Sequence, residues 1–278
     1  MSHRRRRARK LQRDRAAVPT LRRNALATAI ATILTPAAVH IDVWQRNIEI
    51  FVEPTSEHRN LSGGRWLEPL LQDNISLFYS DIRGVFDIGS TEELNFGLGY
   101  RHLIFDRRWI LGGYASIDTR STSRDNRFNQ ITLGVEALSR EWDLHANGYL
   151  PLTDEKLIGS SSTGGIFQGQ SLFSNGVFEE ALHGADVEAG RLLEFIPFGE
   201  TRLFVGSYWF DGNIVTESTG VGLRARLEFR PRKDIALEIG AQHDELFGTE
   251  SFLRIRYSFG MPKETGVRTL DERMVQFA

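Results

Sequence analysis

His145 alternates with Asp143 and Asn147 on one side of a strand-like run, the nearest approach in this 278-residue chain to a set of side chains able to exchange protons. Nucleophilic catalysis needs Ser, Thr or Cys with a base in reach. The chain has no G-x-S-x-G, no H-E-x-x-H and no cysteine. His58, His102, His183 and His243 are dispersed without metal-ligand spacing. The run "SSSTGG", Ser160 to Gly165, is Gly-rich but lacks the Lys and the strand-to-helix setting of a phosphate cradle, so it reads as a flexible external loop. The expectation is a protein that is not an enzyme and has no catalytic, cofactor-binding or metal site. The His145 group then reads as a hydrogen-bond ladder.

Other ionisable residues do fall into a pattern. In "VGLRARLEF", Val221, Leu223, Ala225, Leu227 and Phe229 take one side and Gly222, Arg224, Arg226 and Glu228 the other. "IALEIGA" sets Ile235, Leu237, Ile239 and Ala241 against Ala236, Glu238 and Gly240. "LRIRYSF" sets Leu253, Ile255, Tyr257 and Phe259 against Arg254, Arg256 and Ser258. A helix would scatter these groups around its axis. Similar runs occur at 44–54, 62–70, 74–84, 93–104, 109–118, 129–138, 142–151, 185–195 and 202–211, giving about twelve strands. Most have about nine to eleven residues, the length a tilted strand needs to cross a hydrocarbon layer.

The joints between the runs alternate in length. "QDN", "FDRR", "SRE", "IPFGE" and "PRK" are short, whereas "TSEHRNL", "RGVFDIGSTEE", "TRSTSRDNR", 153–184, "DGNIVTEST" and "DELFGTE" are long. Short turns at one end and loops at the other are the habit of outer-membrane barrels. A small soluble barrel fills its interior with apolar side chains. Here the apolar face must look outward, because Arg101, Glu136, Glu188, Arg224, Arg226, Glu228, Glu238, Arg254 and Arg256 occupy the other one. The predicted fold is therefore all-β, a transmembrane antiparallel barrel whose partner is the lipid bilayer, with those nine residues facing the lumen. Lipid offers backbone groups no partners, so the sheet must close. The lumen charges can pair across neighbouring strands. Trp109, Tyr114, Tyr149, Trp209, Phe210, Tyr257 and Phe259 stand near strand ends and are expected to form interfacial girdles.

Charge divides the chain into three parts. Residues 1–23 carry nine Arg and Lys10 against Asp14, about +9, so the net −2 leaves about −11 for the other 255 residues. "ALATAIATILTPAAV", Ala25 to Val39, is too short and too rich in Thr and Ala to span a bilayer, and matches a signal-peptide core with Ala37 or Ala38 at the cleavage site. The alternatives are a basic arm for nucleic acid or anionic lipid, or a start codon set too early. Of these the export signal is preferred, and no nucleic-acid partner is expected. The resulting division is 1–43 as a basic segment with a signal peptide, 44–260 as the barrel and 261–278 as a linker-like tail. The absence of cysteine is compatible with passage through an oxidising compartment.

The stretch from Leu94 to Leu152 resembles the β-domain of the inverse autotransporters, the intimin and invasin family of bacterial adhesins. The likeness is carried by "N-x-G-x-G-x-R" from Asn95 to Arg101, "W-x-L-G" from Trp109 to Gly112, Asp118, "LGVEA", and "L-x-A-N-x-Y-L-P" ending at Pro151. "GADVEAG" and "GLRARLEFRP…IALEIGAQHD" extend it over about Trp44 to Phe259. The resemblance implies a twelve-stranded barrel in the outer membrane with both termini periplasmic and the long loops extracellular. It also implies periplasmic chaperones and the barrel-assembly machinery as partners, and a role as translocator and anchor for a C-terminal passenger. Only "MPKETGVRTLDERMVQFA" follows the last strand, with no immunoglobulin-like passenger, so adhesion itself is not carried over. The alternatives are a passive pore for small solutes, or a surface barrel binding ligands through its external loops, above all 153–184. The tail bears on the choice. "TLDERMVQ" can form a helical turn with Thr269 as N-cap and Glu272 three residues on, a plausible plug.

Overall fold

The computed structural model describes residues 44–56, 60–87, 91–157, 167–168, 171–173, 178–212, 220–244 and 248–277. The strands are β1 (Asn47–Pro54), β2 (Asn60–Gln72), β3 (Ser76–Asp87), β4 (Glu92–Ile104), β5 (Trp109–Ser121), β6 (Arg127–Ser139), β7 (Trp142–Pro151), β8 (Lys156–Leu157), β9 (Phe167–Gln168), β10 (Ser171–Phe173), β11 (Phe178–Ala181), β12 (His183–Leu192), β13 (Glu200–Asp211), β14 (Gly220–Arg232), β15 (Ile235–Asp244) and β16 (Gly248–Ser258). Twelve of these, β1 to β7 and β12 to β16, form a closed barrel in which every neighbour is antiparallel. The seam joins the first and last strands, with Glu49 opposite Ser258 and Val52 opposite Ile255.

The barrel strands run from 8 to 13 residues, several longer than the nine to eleven read from the sequence. The added residues are mostly polar ones at the loop end, such as Thr119 to Ser121 on β5 and Arg127 to Phe128 on β6, where ladder hydrogen bonds continue after the apolar alternation has faded. Among the described residues no helix is long and apolar enough to cross a membrane. At about 3.3 Å per residue and a tilt near 45°, a strand of this size covers roughly 30 Å, the thickness of a hydrocarbon core.

Burial follows the two-residue period. Along β1 the buried Asn47, Glu49, Phe51 and Glu53 alternate with the exposed Ile48, Ile50, Val52 and Pro54. The apolar face is the exposed one throughout: Leu223 is 68% exposed and Ile239 61%, while Glu238 one residue away is buried to 1%. In water such a surface would be strongly unfavourable, and in a bilayer it is the solvated side.

Inside, rings lie flat across glycines of the next strand. Tyr79 covers Gly99, Tyr114 covers Gly134, Tyr208 covers Gly222 and Phe204 covers Gly190. At Gly240 a Cβ would stand 2.5 Å from the Phe252 ring and 2.9 Å from Arg226 Cβ, so only glycine admits both neighbours. This corrects the girdle expectation for three residues. Tyr114, Tyr149 and Phe210 line the lumen, because each has inward parity on its strand. Trp109 and Trp209 have outward parity, as do Tyr257 and Phe259, whose rings meet edge to face at 4.8 Å.

The stretch 153–184 is not a plain loop. Strands β8 to β11 make a separate four-stranded sheet, tied to the β5–β6 connection by Asn126 Nδ2 donating to Glu179 Oε2 at 2.5 Å. The "SSSTGG" run and His58 lie outside the described residues.

Candidate functional site

Parity along β14, β15 and β16 directs Arg224, Arg226 and Glu228, then Glu238, then Arg254 and Arg256 into the lumen, where β12 adds Glu188 and β1 adds Glu49 and Glu53. Cross-strand pairing joins them into one network. Arg226 grips Glu188 with two of its nitrogens, Nη2 at 2.5 Å and Nε at 2.9 Å, and reaches Glu238 with the third, Nη1, at 3.1 Å. Glu238 also accepts from Arg254 at 3.2 Å and Arg256 at 3.2 Å. Arg256 donates further to Glu228, and Arg254 to Glu53 on β1 across the seam. Arg224 stands one layer nearer the loops and donates to Gln242 at 3.3 Å. With guanidiniums and carboxylates interleaved across the strands, the desolvation of so many charges is offset within the wall, and removing one member would strand its partners.

Arg101 and Glu136 have a different setting. Both are buried, joined by Arg101 Nε to Glu136 Oε1 at 2.5 Å and Nη2 to Oε2 at 3.1 Å. The remaining nitrogen, Nη1, donates at 2.7 Å to the main-chain carbonyls of Met274 and of Gln276. The pair therefore holds the C-terminal segment inside the barrel.

That segment enters at the short-turn end. Thr269 caps helix α1 (Leu270–Arg273) in a reciprocal box: Glu272 N–H donates to Thr269 Oγ1 at 3.2 Å, and Thr269 N–H to Glu272 Oε2 at 2.7 Å. Met274 and Val275 then pack with Trp44, Leu67, Leu77, Leu103, Ile110 and Leu138, an apolar floor across the short-turn end. Arg268 clasps Glu200 through its backbone N–H at 2.8 Å, Nη2 at 2.8 Å and Nε at 3.1 Å. Arg273 pairs with Asp143 and donates to Ser139 O, and Asn47 Nδ2 donates to Val275 O at 3.0 Å. At the rim, Lys233 in the β14–β15 turn binds Glu264 at 2.6 Å and Glu272 at 2.8 Å. Burial alone would lower its pKa, but those two carboxylates outweigh burial and hold it above the usual 10.5.

Above the floor a cavity of about 1130 Å³ remains, with Gln276 and Phe277 at its base and the charged network on one wall. The adjoining wall, from β12 round to β5, is held by mostly neutral groups: Tyr114 OH donates to Asn147 Oδ1 at 2.6 Å, Asn147 Nδ2 to Asp186 Oδ1 at 3.0 Å, and Tyr149 OH to Asp186. The three residues of the His145 group thus serve different partners. Asp143 belongs to Arg273 and, at 3.4 Å, to Arg202; Asn147 belongs to the tyrosine chain; His145 Nδ1 stands 4.0 Å from Glu136.

The inward residues Glu49 and Glu53 join the nine lumen residues predicted from the other strands, and the alternation of "NIEIFVE" is the signal that marks them. Glu200, Arg202 and Arg268 have no such signal. Glu200 stands before the apolar alternation of β13 begins and Arg268 lies on no strand, so only the folded tail brings those two together, whereas Arg202 is held by Glu200, Asp143 and the carbonyls of Arg140 and Glu141.

A family model for the inverse autotransporter beta-domain matches residues 10–267. No curated protein matches the chain. Among solved structures, a chain from a study of the in-meso crystallization of membrane proteins is 16% identical, with a TM-score of 0.62 over 84% of this chain and 95% of that one. An outer membrane channel from Pseudomonas putida F1 is 12% identical, with a TM-score of 0.46 over 81% of this chain and 100% of that one. The beta domain of the Bordetella autotransporter BrkA is 12% identical, with a TM-score of 0.39 over 77% and 98%.

Proposed function

The chain belongs to the inverse autotransporter β-domain family, and from that premise we propose that it serves as a translocator and anchor, inserted in the outer membrane to export or display a passenger polypeptide through its lumen. That it is an outer-membrane β-barrel follows from the family together with the closed twelve-stranded sheet and its outward apolar face. The export role rests on one observation. Residues 268–277 leave the short-turn rim, cross the apolar floor and end facing the cavity, held by side chains from several different strands. A polypeptide on that path already runs inside the barrel, and the lumen wall supplies charged and hydroxyl groups to an extended chain rather than apolar ones. In this reading the short turns and both ends of the chain face the periplasm, the long loops face outward, an N-terminal export signal delivers the chain, and periplasmic chaperones and the barrel-assembly machinery insert it.

The second reading, a passive pore, draws on the cavity of about 1130 Å³. It requires the floor to open, and the anchors on the tail weigh against that. The two are separated by fusing an epitope-tagged folded module after Ala278 and probing intact cells with antibody and external protease. Surface exposure of the tag is expected. A tag that stays protected while the barrel itself is inserted, as judged by a heat-modifiable gel band, would refute export.

A further inference from the structure

The outer face of the barrel is apolar along its middle, so an outward cation at its rim with no carboxylate of the chain beside it is left for a counter-ion from outside the protein. Arg191 is such a residue. On β12 it continues the outward row Ala185, Val187, Ala189, and its register partners Trp142 on β7 and Leu203 on β13 have the same parity. Its guanidinium lies 5.1 Å from the centre of the Trp142 ring, and among the described residues no carboxylate pairs with it. The outward carboxylate at this rim, Glu68, is by contrast answered within the chain by Arg46 at 3.4 Å and Trp66 Nε1 at 2.9 Å.

The surroundings of Arg191 suit a lipid. Leu192 N–H donates to Glu141 O at 2.8 Å, which brings the β6–β7 turn against the end of β12. That turn carries Arg140, 68% exposed and only 3.9 Å from an equally exposed Glu194. The following turn presents Phe195 and Phe198 at 79% and 75% exposure. Two cations, an indole and two bare phenyl rings at the edge of the apolar band match the boundary where phosphates lie above acyl chains. A guanidinium forks onto phosphate oxygens in two parallel hydrogen bonds, and its stacking on Trp142 holds that fork in place.

We propose that the Arg191–Trp142 stack, with Arg140 and the Phe195–Phe198 turn, binds the headgroup phosphate of an anionic phospholipid in the leaflet at the short-turn end. The choice of leaflet rests on the orientation proposed for the translocator; the preference for an anionic headgroup does not. The test uses the refolded full chain in neutral micelles doped with phosphatidylglycerol or phosphatidylcholine, with retained lipid counted by native mass spectrometry. Two basic groups at a lipid surface should favour phosphatidylglycerol on the order of tenfold or more. The preference should fall toward parity in R191Q/R140Q and persist in R127Q, which changes an exposed arginine at the opposite rim. Equal retention of the two lipids by the wild type, or an undiminished preference in R191Q/R140Q that still shows a heat-modifiable band, would overturn the proposal. Because the chain has no cysteine, Phe195→Cys gives a unique label site for the leaflet. Labelling only after the cells are opened supports the assignment, and labelling from outside overturns the leaflet while the micelle result stands by itself.

Discussion

Replacing Arg268 by Met should loosen the tail without changing any residue of the barrel strands. Methionine keeps most of the length and apolar bulk but removes the cation that lies 2.8 Å from Glu200 and 3.5 Å from Glu228, all three side chains being buried. Breaking a buried pair by removing one partner costs about 3–5 kcal/mol, and each 1.4 kcal/mol is about a factor of ten. The fraction of molecules with the tail undocked should therefore rise by roughly two to four orders of magnitude. Arg101, Arg273 and Asn47 still hold the segment, so docking is weakened rather than abolished. Single-channel recording in planar bilayers reads this directly. Wild type should be closed with rare openings, Arg268→Met should flicker open far more often, and a chain ending at Gly260 should conduct steadily. If the truncated chain is as closed as wild type, the tail is not the floor and the translocator reading loses its support. If truncation opens the barrel but Arg268→Met does not, the tail is held by its apolar contacts and the ion pair contributes little to docking.

Gly240→Ala should lower the temperature at which the folded gel band converts to the unfolded one, by an overpacking cost of about 1–3 kcal/mol, since the new methyl would meet Phe252 and Arg226; Gly148→Ala, with nothing within 4 Å, should leave it unchanged. On the alkaline side the Lys233 clasp on Glu264 and Glu272 should weaken as pH rises. Its pKa in the folded state is raised, so the clasp is fully present below the unfolded value and is lost as pH climbs past the raised one. Limited proteolysis should find the stretch around Glu264 protected from neutral pH up to at least the usual lysine value of 10.5 and cut faster above it, whereas Lys233→Met should be cut faster across the whole range. Early cutting of wild type near neutral pH would refute the clasp.

The alternation of side chains by itself determined which face of each strand is apolar, because the pleat has a period of two that holds along a strand except where the ladder slips, between Pro69 and Leu71 on β2 and between Phe229 and Arg232 on β14. The inward setting of Arg226 or Glu238 follows from "RLEF" and "LEIG" alone, and so does the outward setting of Trp209. The same parity, applied strictly, excludes Tyr114, Tyr149 and Phe210 from the girdles; nearness to a strand end is the wrong criterion. Alternating short and long joints marked the two ends, since antiparallel neighbours return the chain to the same rim each time. The choice of partners belonged to the tertiary structure. Arg254 meets Glu53, 201 residues away, only because β16 closes on β1 in one register, and Arg268 meets Glu200 only because the tail folds back under the rim. Local sequence fixes on which side a charge lies. Which charge stands opposite depends on the stagger of the closed sheet, a property of all twelve strands together.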